Sequence, residues 1–165
     1  MFIYMIAIGN VQKRLLLAGA KNIKEIFGFD VRISDVPVYY RDAYDPKRGQ
    51  FIANKILDRM RAVELPSMLK LIGITDVDIY EDNLNFVFGI GELGGRYALV
   101  STHRLFHKDE RIFFERVFKE INHELGHTFG LLHCKTPGCV MNFSNSVFEV
   151  DRKGKDFCSK CKSKL

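Results

Sequence analysis

The chain has 165 residues, of which 47% are hydrophobic and 27% charged, a composition that suits one soluble domain with a full core. No apolar run approaches the ~18–20 residues of a membrane-spanning helix, which excludes a helical membrane protein. Of the formal charge of +5, a net +4 falls in residues 151–165, where six Lys/Arg face Asp151 and Asp156.

A basic tail can meet nucleic acid or an acidic partner. The simpler reading is a solvated surface around a metal knuckle. The N-terminal stretch Met1 to Ile8 is apolar but lacks a basic leader and soon meets Gly9-Asn10. It reads as a first strand over 2–8 rather than a signal peptide, so a cytoplasmic protein is expected.

Residues 11–27 carry apolar spacing for a helix, with Leu15, Leu16, Ala18 and Ile23. Residues 30–40 read as extended, with Pro37 hinting at an edge, and 41–49 as a loop. A second helix is expected over 50–63 and a short one over 67–72, followed by a strand from Ile74 to Tyr80. Strands over 85–90 and 96–101 flank a glycine-rich turn at 91–95. A third long helix over 109–129 has Phe114, Val117, Phe118, Ile121 and Leu125 as its apolar stripe. The tail beyond it shows little regular structure. This order predicts an α+β fold, with three main helices on a mixed, twisted sheet.

The decisive stretch runs from His123 to His133 and reads HExxHxxGxxH, in a chain with only five histidines. His123 and His127, four apart on a helix, share one face and can grip one metal ion. Gly130 can end that helix in a left-handed conformation, which lets the chain turn back and bring in His133. Three nitrogens leave a fourth tetrahedral position open, as catalytic zinc sites require. Glu124 lies about 100° around the helix from His123, placed to reach a zinc-held water without binding the metal. Met141 suits either plain core or an apolar floor beneath the metal. His103 and His107 are four apart but straddle a loop-to-helix transition, which favours surface or capping roles.

All four cysteines follow the histidine motif: Cys134, Cys139, Cys158 and Cys161. Two short-spaced pairs in a chain without a secretion signal favour a structural four-cysteine zinc over disulfides or a redox pair. Such a zinc would fold a tail too poor in apolar residues to hold itself. Two zinc ions per chain are therefore expected, one catalytic and one structural. His133 and Cys134 are adjacent, so the two sites should be mechanically joined.

HExxHxxGxxH with a following Met141 resembles the metzincin clan of zinc peptidases. More narrowly, His133-Cys134-x4-Cys139-x-Met141 followed by Cys158-x2-Cys161 resembles the archaemetzincin family. The resemblance implies a metzincin-like fold of one peptidase domain. Residues 1–131 would form an N-terminal subdomain, and residues 132–165 a small irregular, zinc-bound C-terminal subdomain. It implies His123, His127 and His133 as catalytic zinc ligands, Glu124 as general base and Met141 as the Met-turn residue. Some metzincins place a tyrosine two residues beyond that methionine; this chain has Phe143. Asn142, Ser144 and Asn145 would satisfy the turn's backbone.

The expected partner is a peptide or protein substrate, acted on by a monomer, with no membrane and no nucleic acid involved. In metzincins the substrate adds as an extended strand to a sheet edge; residues 85–101, around Gly89–Tyr97, are the candidate rim, or else an ordinary hairpin. A different class of function remains open, a zinc-stabilised peptide- or nucleic-acid-binding protein without turnover. Glu124 favours the enzyme, since a binder needs no base there.

Overall fold

A computed structural model describes residues 1–165. A five-stranded sheet has the order β2-β1-β5-β8-β7, built from β1 (Phe2–Ile8), β2 (Asp30–Ile33), β5 (Met68–Thr75), β7 (Gly89–Gly91) and β8 (Tyr97–Ser101). All its neighbours are parallel except the edge pair β7/β8. A small second sheet joins β3 (Tyr44–Asp45), β4 (Gln50–Ile52) and β6 (Ile79–Tyr80).

The sheet is covered on both faces. Ile3, Met5, Ile72 and Ile74 pack against α1 (Lys13–Phe27) and α3 (Glu110–Thr128) through Leu15, Leu16, Val117, Ile121 and Leu125. On the other face, Tyr4, Ile6, Ile8 and Leu99 meet Ile56, Leu57 and Met60 of α2 (Ala53–Met60). Alternate residues of β1 thus serve two cores, because a strand places successive side chains on opposite faces. No helix is long and apolar enough to cross a membrane.

Four expectations are corrected. The strand expected over 85–90 is only β7, Gly89–Gly91, with no strand over 85–88. Residues 67–72 are not a helix; Ser67 is in a turn and 68–72 belong to β5, which lies between β1 and β8. The second helix is shorter than 50–63, because Gln50–Ile52 pair with β3 and β6. The strand expected from Ile74 to Tyr80 is instead the end of β5 and the two residues of β6, divided at Asp76–Asp78. The mixed sheet, the three main helices and the long third helix stand as expected. The tail carries two short helices, α4 (Val147–Arg152) and α5 (Ser159–Lys162), in otherwise irregular chain.

β7 is the free edge of the sheet. The Ser101 amide donates to the Phe88 carbonyl and the Glu92 amide to the Tyr97 carbonyl. Antiparallel pairing alternates, so the backbone groups of Gly89 and Gly91 face outward. Both glycines line the cleft that also holds His123, Glu124 and His127.

Candidate active site

The helix that carries the motif is well specified at both ends. Asp109 caps α3 by accepting from the Arg111 amide at 3.0 Å. At the other end Gly130 adopts φ +93°. The Leu131 amide then returns to the Gly126 carbonyl and the Gly130 amide to that of His127, the Schellman pattern. This turn places the Leu131 carbonyl 2.7 Å from Nδ1 of His127. The Val140 carbonyl lies 2.8 Å from Nδ1 of His123. Each ring therefore has its Nδ1 edge tied to a backbone carbonyl, which leaves Nε2 as the free lone pair.

Those Nε2 atoms point at one another. His123 Nε2 and His127 Nε2 are 3.2 Å apart, and His133 brings a third nitrogen so that all three lie within 4.8 Å of one another. Zinc–nitrogen bonds of ~2.0–2.1 Å in a tetrahedron separate ligand nitrogens by about 3.3 Å, so the set fits such an ion. Burial, reinforced by the ammonium of Lys153, holds the His123 imidazole well below its usual pKa. Burial likewise lowers His127 and His133. Neutral rings at neutral pH are what a cation needs.

Glu124 is 6% exposed, with Oε1 3.8 Å from His123 Nε2 and Oε2 without any hydrogen-bond partner. Burial, with the nearby Glu120 carboxylate, pushes its pKa well above the usual range. A buried carboxylate oxygen without a protein partner, beside three inward nitrogens, fits a metal centre with a water next to it. The three histidines and Glu124 open onto a cavity of about 260 Å³, also lined by Phe86, Phe88, Gly89, Gly91, Phe143 and Ser144.

Met141 is fully buried below α3. A Cβ on Gly126 would lie 2.6 Å from its Sδ and 3.1 Å from the Phe157 ring. The helix thus needs glycine there to admit the methionine. Asn142 holds the turn as expected, donating to the Cys134 and Thr136 carbonyls at 2.7 and 2.8 Å. Ser144 and Asn145 differ: they line the cavity, and Ser144 Oγ is unpartnered. Phe143 is half-exposed, its ring 5.2 Å from that of His133. His103 is exposed, and His107 Nδ1 accepts from the Asp109 amide at 2.9 Å.

The four cysteines are unbridged and their sulfurs lie within 4.8 Å of one another. Cys134–Cys158 and Cys139–Cys161 are each 3.8 Å apart. A tetrahedron with ~2.3 Å zinc–sulfur bonds puts sulfurs about 3.8 Å apart, whereas a disulfide needs ~2.05 Å. A hydrogen bond from the Cys161 backbone lowers the Cys158 thiol to about 6, while burial pushes Cys161 up. Sequence reasoning placed Gly89 and Gly91 in the candidate rim without seeing that their lack of a side chain admits α3, and it missed Gly126. It also missed Lys153, counted among the tail's surface charges but 3% exposed.

The geometry has counterparts among known proteins. A family model described as peptidase family M54 matches residues 17–165. The archaemetzincin of Pyrococcus furiosus is 39% identical over 175 aligned positions, which cover 99% of this chain and 91% of that protein. The chain belongs to the archaemetzincin family. Among solved archaemetzincins, that of Methanopyrus kandleri superposes with a TM-score of 0.90 at 37% identity, covering 99% of this chain and 92% of that one. A zinc-dependent peptidase from Methanocorpusculum labreanum gives a TM-score of 0.87 at 30% identity over 98% of each chain. As an archaemetzincin, the chain is a zinc metallopeptidase, a hydrolase of peptide bonds. The metzincin-like α+β fold expected from the motifs is the fold of these relatives.

Proposed function

We propose that His123, His127 and His133 hold the catalytic zinc, and that Glu124 is the general base of peptide hydrolysis. The observation that carries this is the convergence of three inward ring nitrogens on the side of an unpartnered, buried Glu124 carboxylate. When bound, the ion supplies a Lewis acid that makes water a nucleophile near neutral pH and polarises the scissile carbonyl. With a cation held by the three histidines, Glu124 would be ionised and able to act as a base. Its carboxylate takes the proton from the attacking water and returns it to the leaving amine.

The outward backbone groups of Gly89 and Gly91 offer main-chain hydrogen bonds to an extended peptide, laid along β7 and across the cleft. Cys134, Cys139, Cys158 and Cys161 hold a second, structural zinc. Four thiolates close its shell, so it activates no water. Met141 is the floor of the site. The subdomain boundary falls between 131 and 132, where the chain leaves the turn after α3. The chain acts as a cytoplasmic monomer on peptides or proteins and has no nucleic-acid role.

A peptide-library cleavage profile of wild type against Glu124→Ala, with zinc counted in both, tests this. Two zincs in each protein and cleavage in wild type alone are expected. Absence of Glu124-dependent cleavage of any peptide would sink the assignment and leave a zinc-stabilised binding protein.

A further inference from the structure

Lys153 follows the last residue of α4, and its side chain runs inward. The ammonium donates to the Asn142 carbonyl at 3.1 Å. It lies 3.4 Å from Glu120 Oε1 and 3.5 Å from Nδ1 of His123. Both charged side chains are almost fully buried, at 2% and 4% exposure. Glu120 Oε1 makes no hydrogen bond, and Lys153 is the cation paired with it. Glu120 stands one helical turn before His123 and Glu124 on α3.

Three segments therefore meet at one ammonium: α3, the turn around Met141 and the end of α4. As a mere cross-link this is a poor choice. Burying two charges is costly, and packed apolar residues of similar size hold a fold at least as well. What the ammonium adds is direction. Asn142, whose carbonyl it grips, is two residues from Val140, whose carbonyl aims His123 Nδ1. Lys153 stands on that same Nδ1 side of the ring, away from the Nε2 edge that faces His127.

We propose that Lys153, with Glu120 as its counter-ion, is a positioning residue for the peptidase reaction: it fixes the Met141 turn so that the Val140 carbonyl orients the His123 ring. The inference rests on the zinc-peptidase reading above. It concerns residues outside the ligand set, and partners of this kind typically change metal affinity about 10–100-fold when removed.

The test compares wild type, Lys153→Met, Glu120→Leu and the double variant as full chains. Three quantities are measured: zinc affinity of the histidine site by chelator competition, kcat and KM separately, and thermal stability. Lys153→Met should weaken histidine-site zinc about 10–100-fold and lower kcat more than it raises KM. The double variant, which buries no unpaired charge, should regain thermal stability but neither zinc affinity nor kcat. If zinc affinity and kcat return with stability in the double variant, the pair only fills space and the proposal is wrong. The same follows if Lys153→Met leaves both unchanged. Should either single variant fail to fold, the double variant decides alone. A wild type that takes no zinc at its histidines would overturn the parent reading and this one with it. A wild type that loads zinc and cleaves, beside an unaffected Lys153→Met, would overturn this one only.

Discussion

Gly91 of the edge strand lies directly against the Glu124 backbone: a Cβ there would be 2.5 Å from the Glu124 carbonyl oxygen and 3.3 Å from Cβ of His127. Gly89 repeats the relation one step away, 2.9 Å from Glu124 Cγ. The strand and the motif helix can approach only because both positions lack side chains. A helix backbone cannot step aside as a side chain can, so Gly91→Ala should push β7 off α3. Overpacking of this kind costs ~1–3 kcal/mol. A displacement near 1 Å can lower turnover by about 10²-fold. The variant is expected to fold with a lowered Tm and to lose most of its kcat/KM. Near-wild-type kcat/KM would show that the strand need not sit so close.

Gly126 makes the same accommodation on the opposite side of the helix. Alanine would gain about 1 kcal/mol of helix propensity. Its methyl group would meet the buried Met141 Sδ at 2.6 Å and the Phe157 ring at 3.1 Å. The overpacking term of ~1–3 kcal/mol should win. Gly126→Ala is expected to unfold at a lower temperature than wild type, and a raised Tm would contradict it.

Removing one sulfur tests the link between the two metal groups. The Cα atoms of His133 and Cys134 are about 3.8 Å apart, and the Cys134 amide donates to the Met141 carbonyl at 3.0 Å. On the two-zinc reading proposed above, Cys158→Ala should lose the cysteine-bound zinc and also reduce zinc at the histidines, read as metal per chain after dialysis. Full histidine-site occupancy would show that the coupling does not exist.

Acid should loosen the anchor of α4. Hydrogen bonds from the Arg116 guanidinium, at 2.8 Å to each oxygen, hold the Asp151 carboxyl below its usual pKa. A carboxyl depressed in the folded state stabilises above its unfolded pKa of ~3.9 and stops doing so as pH falls through the lowered folded value. Asp151 is 42% exposed, so the contribution stays below about 1 kcal/mol. Asp151→Asn should therefore melt slightly earlier than wild type at pH 7, with the gap closing below pH ~4. A gap that widens in acid would reverse the sign argued here.

How much of this is legible in the chain differs from element to element. Period-3.6 patterns place α1 and α3 within two residues, and metal-ligand spacing groups the three histidines and four cysteines as they are found. β5 is misread because it is buried on both faces. Met68, Leu71 and Ile72 fall at helical offsets, while the alternation of a half-exposed strand is absent. Lys70 adds to the error by interrupting the apolar run. Its ammonium is in fact turned to the Gly95 and Thr128 carbonyls, at 2.6 and 2.8 Å, where it caps the C-terminal end of α3. Lys153 misleads in the same way, since a lysine in a basic tail carries no mark of burial. Contacts set by tertiary packing across 30 or 60 residues leave no local periodicity to read.

On the two-zinc reading, the position of Cys158 and Cys161 orders the birth of the enzyme. The helix with His123 and Glu124 leaves the ribosome some thirty residues before the last sulfur does. Until then the four-cysteine group beside His133 is incomplete. On that reading a nascent chain would carry the whole HExxH segment before the group that anchors its third histidine is complete.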